Sequence, residues 1–261
     1  MSTISSITRQ GRFEPFELQV SRTQIQGHKT VFKFGVNSDI NGTSETIWSQ
    51  GGAYAYPAAA TVMKVSSSST DDASSGTGAR TVVVSGLDAS YNEISETVEL
   101  NGQTAVNTVN SYLRVFRAYV ATAGSGGTAA GTVYVGTGVV TAGVPATVYA
   151  VITLGANQTQ MALWTVPAGY TLYVYGGTFS ASSNNTTHTI LGSFFFRPLN
   201  GVFRNVADVT VASEAFRYDW EIPLAIPEKS DIEARAIALN GSSFYVTASF
   251  EGIYIKNNGE V

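Results

Sequence analysis

Residues 170–176 read YTLYVYG and follow the turn Pro167-Ala168-Gly169, which itself closes the apolar run 160–166, QMALWTV. Tyrosines alternating with Leu172 and Val174 form a strand pattern, and a Pro-containing turn between two such runs predicts consecutive β-strands. Working outward, residues 189–197, TILGSFFFR, predict another strand. Successive side chains of a strand point to opposite faces, so Phe194, Phe195 and Phe196 require both faces of that sheet to be covered. Strands are also predicted over 216–222, 231–238 and 243–255, with Pro223 and Pro227 marking a bend. A short helical turn is expected near 207–215.

The N-terminal half has the same character. Strands are expected over 31–36, 61–66, 80–85 (RTVVVS), 93–100, 104–108, 112–120 and 132–136. Asn101-Gly102 predicts a hairpin, since both residue types tolerate positive φ. Residues 66–78, SSSSTDDASSGTG, and the Gly-rich stretch 123–131 predict mobile surface loops. Short strands with turns every 8–12 residues or so mean β-sandwiches or jelly rolls. The expected fold class is therefore all-β: two β-sandwich or jelly-roll-like domains with an extended N-terminal arm. The arm is placed at 1–34, lying on a neighbour or closing the sheet of its own domain as a strand, the first domain at 35–145, a linker at 146–157, the second domain at 158–256 and a tail at 257–261.

Composition narrows the function. Of 261 residues, 44 % are hydrophobic and only 13 % charged. So few charges suit a surface partly hidden in an assembly better than a freely diffusing monomer. The net charge is −4, and the 15 Lys and Arg form no run, which argues against a nucleic-acid partner. There is no cysteine, hence no disulfide, thiol catalysis or Cys-ligated zinc. The opening stretch MSTISSITRQGRF has no apolar core, so no secretory leader is expected. The longest apolar stretch, near 144–154, is too short to span a membrane as a helix.

Candidate chemistry is sparse. The two histidines, His28 and His188, have no second ligand at metal spacing and no Gly-x-Ser-x-Gly elbow nearby. Asp71-Asp72 lie in the Ser-rich loop, Asp219 and Glu221 share a strand face, and Glu228 and Asp231 flank Lys229. Each reads more simply as surface charge than as a hydrolase carboxylate pair. Asp88, Ser90, Asn92 and Glu99 mimic a calcium loop but lack its glycine, and a turn explains them. The loop 124–131 has no following Lys, so it is no phosphate cradle. Trp48, Tyr54, Tyr56 and Trp164 could stack on sugars, or fill a core. The reading is of a non-enzyme, with no catalytic residue, cofactor or metal.

Several stretches carry a family resemblance: 16–35 (FELQVSRTQIQGHKTVFKFG), 37–52 (NSDINGTSETIWSQGG), 84–98 (VSGLDASYNEISETV) with the following LNGQTAV, and 112–120 (YLRVFRAYV). In the second half, Val166–Tyr170, 194–198 and 226–237 (IPEKSDIEARAI) add to it. Most of the chain thus resembles a family of tailed-bacteriophage virion structural proteins. The resemblance implies a particle subunit on the capsid surface or in the tail. A capsid decoration or cement protein would clamp neighbouring major capsid subunits, self-associating as a homotrimer. A tail, baseplate or fibre-attachment component is the alternative, and a carbohydrate-binding module the third reading. Expected contact residues are Phe13, Phe16, Leu18, Val20 and Ile25 of the arm, with Arg114, Arg117, Arg197, Arg204 and Arg217 on strands. Self and other virion proteins are the expected partners, with no nucleic acid or membrane. Deleting 1–34 should leave a folded β protein.

Overall fold

The structure is a computed structural model and describes residues 14–183, 185 and 187–257. Among these residues it is all-β, apart from one short helix, α1 (Phe16–Ser21). The strands are β1 (His28–Ile40), β2 (Glu45–Thr46), β3 (Thr61–Ser67), β4 (Ala79–Leu87), β5 (Glu93–Glu99), β6 (Val106–Tyr112), β7 (Arg114–Ala123) and β8 (Val133–Thr141). They continue with β9 (Val144–Ile152), β10 (Leu163–Thr165), β11 (Tyr170–Ser182), β12 (Thr189–Arg197), β13 (Arg204–Val211), β14 (Ala215–Ile226), β15 (Asp231–Asn240) and β16 (Phe244–Lys256).

Four antiparallel sheets result. Sheet I runs β1-β16-β11-β14, and sheet II runs β10-β15-β12-β13 with β2 on β15. Sheet III runs β6-β3-β8-β9, and sheet IV runs β5-β4-β7. The run 170–176 opens β11, between β16 and β14. Its Leu172 and Val174 are buried, with half-buried tyrosines between them. They join Phe194, Ile232 and Phe250 in a core drawn from sheets I and II, next to a second cluster around Phe179, Ile190 and Phe244. Met63, Val65, Val133 and Ile152 of sheet III meet Val82, Val84, Val98 and Val115 of sheet IV in a separate core. Each fully buried large side chain contributes about 1.5–3 kcal/mol.

The chain order differs from a simple tandem arrangement. β1 lies in sheet I, paired with the last strand, β16, from His28↔Ile255 onward. Residues 28–34 are therefore sheet, not arm, and 35–40 belong with the C-terminal strands. The N- and C-terminal segments together build sheets I and II, and the strands from 61 to 152 are inserted between them. The expected linker 146–157 is mostly β9, the edge strand of sheet III, which hairpins with β8 through Ala142-Gly143. An edge strand tolerates Pro145 because no inner neighbour needs its missing N–H.

Three more expectations change. Where a helical turn was expected near 207–215, β13 runs to Val211 and a bend at 212–214 leads into β14, so the one helix among the described residues is α1. The turn at Asn101-Gly102 forms, with the Thr104 N–H bonded to the Asn101 carbonyl at 3.1 Å. It carries the chain from sheet IV to sheet III, however, because β5 pairs with β4 and β6 with β3. Finally, Asp72 is fully buried in the Ser-rich loop. Its carboxylate accepts the Ser67 hydroxyl at 2.5 Å and the N–H groups of Ala79, Ala130 and Gly131 at 2.6, 2.8 and 2.9 Å. One carboxylate thus ties the loops 66–78 and 123–131 together.

Candidate functional site

The residues with the densest polar contacts lie where the inserted strands meet sheets I and II. Asp231 opens β15 and is 3 % exposed. Arg114, at the start of β7, donates from Nε and Nη2 to its two carboxylate oxygens at 2.7 and 3.0 Å. Arg197, ending β12, donates from Nη2 and Nε at 2.5 and 3.2 Å, and the Thr165 hydroxyl adds a bond of 2.6 Å. Arg114 Nη1 caps the Pro57 and Leu113 carbonyls at 3.0 and 2.8 Å. Desolvation pulls the Arg114 pKa down, but the bonds and charge of Asp231 outweigh it and hold it above its ordinary value.

Period-two geometry places Asp231, Glu233 and Arg235 on one face of β15. Glu233 is ion-paired with Arg235 and accepts the Tyr56 hydroxyl at 2.9 Å. Burial raises the Glu233 pKa despite the opposing charge of Arg235. Burial, followed by the charge of Glu233, raises that of Tyr56. Rings and guanidinium groups alternate along the seam. Arg114 lies 5.8 Å from the Tyr91 ring centroid and 5.1 Å from that of Tyr56, and Arg197 lies 4.7 Å from Tyr56 and 4.6 Å from Phe203. Arg235 lies 4.5 Å from Phe203 and 4.7 Å from Phe195. Phe195 is thus covered by a guanidinium, its neighbour Phe194 by the core. Such contacts stabilise by ~0.5–1 kcal/mol at exposed sites and by ~2 kcal/mol when desolvated.

Two further links cross the same boundary. Glu93 of β5 accepts the Lys29 ammonium at 2.5 Å and the Tyr254 hydroxyl at 2.9 Å. Lys33 of β1 is buried with its ammonium on the Phe116 carbonyl and beside the Phe116 ring. Desolvation, aided by the nearby Arg117 charge, pushes its pKa down to about 7.

The expected contact residues divide. Val20 is on the buried face of α1, Ile25 is half-buried, and Phe16 and Leu18 are exposed. Phe13 lies outside the described residues. Arg114 is buried and Arg197 half-buried, both paired within the chain through Asp231. They are therefore internal ties, because Asp231 could not be buried without them. Arg117 is exposed and bonds Gln158, Arg204 is exposed, and Arg217 pairs with Asp219 and Glu251 on an open strand face. Of the possible sugar platforms, Trp48, Tyr54 and Trp164 are core residues and Tyr56 is held in the seam.

His188 Nδ1 is 3.0 Å from the Ser183 hydroxyl, and no acid among the described residues orients the ring. His28 Nδ1 lies 2.9 Å from the Gln26 carbonyl. Asp88 accepts the N–H groups of Ser90 and Asn92, so it closes a turn. Sequence reasoning missed Asp231 as a centre, although the alternation Asp231-Ile232-Glu233-Ala234-Arg235 already placed three charges on one face.

No protein-family model and no curated protein matches the chain. Among solved structures, that of the infectious bursal disease virus Gx strain is similar at 12 % identity over 90 % of this chain and 73 % of that one, with a TM-score of 0.25. T=1 particles derived from infectious bursal virus give 12 %, 93 %, 75 % and 0.25. The VP2 subviral particle of the same virus gives 11 %, 93 %, 78 % and 0.23. Superpositions at these TM-scores do not define a shared fold.

Proposed function

We propose that this chain is a non-enzymatic structural subunit of a virus particle, and more narrowly a capsid decoration or cement protein that clamps neighbouring major capsid subunits. The four sheets are read as two sandwich-like units, one made by the chain ends and one inserted. The observation that carries the proposal is an apolar outer face on a chain with few charges. Phe32 of β1 is 59 % exposed, stacks on Phe34 at 6.0 Å, and lines a surface hollow with Tyr175 and Ile253 beside α1. Glu17 and Ser21 of α1 and Glu251 of β16 also line the hollow, and Phe16 and Leu18 of the same helix are exposed. A large ring left in water forgoes the free energy of burial, and a neighbour that covers it recovers that free energy.

The seam supports the same reading. Its buried charges join two units into one body, and a clamp needs a rigid body. A subunit that binds only the assembled shell stabilises it by mass action, and a trimer adds avidity by engaging several capsid subunits at once. The resemblance at 16–35 and 84–120 to phage virion proteins points the same way. The test is sedimentation velocity on the purified full chain. Trimers are expected for the native sequence, and a shift to monomer for Phe16→Ser with Phe32→Ser. A native chain that stays monomeric at all concentrations contradicts the self-association.

A further inference from the structure

We propose that the cavity at the seam binds a small, doubly charged oxyanion, either phosphate or a pair of carboxylates. The cavity is about 280 Å³ in volume, and Tyr56, Tyr91, Arg114, Arg197, Lys229 and Asp231 are among its lining residues. Three cations and one carboxylate leave it with an excess of two positive charges, in a chain whose net charge is −4. Low-dielectric walls sharpen such a local field.

The donors around the cavity are not all engaged. Every nitrogen of Arg114 has a partner: Asp231, Pro57 or Leu113. Arg197 uses Nε and Nη2 on Asp231, while its Nη1 has no hydrogen-bond partner among the described residues. The Lys229 ammonium and the Tyr91 hydroxyl likewise have none there. Arg197 is fixed from two sides, by Asp231 and by the rings of Tyr56 and Phe203, so it is already oriented for an anion. Asp231 cannot offer the site to a cation, since five hydrogen bonds from Arg114, Arg197 and Thr165 converge on its two oxygens.

The backbone provides an independent indication. Among the described residues, eight non-glycine residues adopt positive φ, and three of them line this cavity: Tyr91 at 66°, Asn200 at 59° and Lys229 at 60°. Asn accepts that conformation readily, whereas bulky Tyr and long Lys rarely do. Strained backbone of this kind concentrates at ligand sites. The site is independent of whether the chain assembles, because every group named belongs to one subunit.

The experiment is calorimetric titration of the full chain at low ionic strength with inorganic phosphate and, separately, with succinate. Three proteins are compared: native, Lys229→Asn and the control Lys64→Asn, whose ammonium bonds the Gly138 carbonyl in sheet III and does not line the cavity. Asn suits the left-handed backbone at 229, so the substitution removes the charge without opposing the fold. One saturable site is expected, weakened roughly tenfold in Lys229→Asn, as suits the loss of a charged hydrogen-bond donor, and unchanged in Lys64→Asn. Preference for phosphate identifies a phosphate ligand, and preference for succinate identifies carboxylates. Absence of saturable binding by either probe, or equal binding by Lys229→Asn, overturns the proposal.

Discussion

Asp231 is the single side chain on which most depends. It holds two guanidinium groups from different parts of the chain, and it is more buried than either. Breaking a buried ion pair strands the remaining charge and costs about 3–5 kcal/mol. Asp231→Asn should therefore lower unfolding free energy by about that amount, read as a drop in urea midpoint with little change in slope. Lys33 makes the opposite kind of prediction. Its pKa is near 7 in the folded chain against 10.5 when unfolded. Below about pH 7 the ammonium is charged in both states, and its burial penalty is fully present. Between pH 7 and 10.5 the unfolded chain holds a proton that the folded chain has released, so stability rises with pH. Lys33→Met should be more stable than the native chain at pH 6, by an amount on the order of a few kcal/mol. It should lose that advantage toward pH 10, as urea titrations at several pH values would show. The strands carrying Arg114 and Arg197 were legible in the sequence, but their common partner was not. Asp231 lies 117 residues from Arg114, and no local pattern links the two.

The strand repertoire was readable because β-branched and aromatic runs bounded by Gly, Asn and Pro leave few alternatives. Pairing was less readable. Asn101-Gly102 turns the chain as those residues should, yet the strands it joins belong to different sheets. Capture of that turn by the Asp72 loop decides the outcome, through the Gly102 N–H on the Asp72 carbonyl at 2.7 Å. The polar composition of 66–78 concealed this role, since Asp72 is buried only after two distant loops close over it. β1 is the other lesson. Its residues 28–34 were placed in an arm, although 31–36 read as a strand, and they pair with β16, so removing 1–34 would strip half of an edge strand from sheet I. Gly35 shows how tightly β1 sits. A Cβ there would lie 2.2 Å from the Ile47 carbonyl oxygen and 2.4 Å from the Ala162 nitrogen, both backbone atoms. Gly35→Ala should destabilise the chain by about 1–3 kcal/mol, the usual cost of overpacking, and differential scanning calorimetry would record a lower Tm.

For the whole molecule, the ends of the chain build one half and the middle builds the other. The Asp231 seam joins the halves, and α1 and β1 leave Phe16, Leu18 and Phe32 exposed beside Glu17 and Glu251. Composition announced this arrangement in one respect only, by offering too few charges to coat the surface of a monomer. It could not say which face lacked them, because that depends on how α1 and β1 pack in three dimensions, which leaves Phe16 and Phe32 exposed. On the proposed reading the chain is a part held by neighbours, with Asp231, Glu233 and Arg114 engaged in its own fold. The direct test is the number of copies in purified particles, measured by quantitative mass spectrometry and located by image averaging. A decoration protein predicts copies on the order of hundreds at symmetry-related positions on the shell. Absence of the chain from the particles would contradict the account.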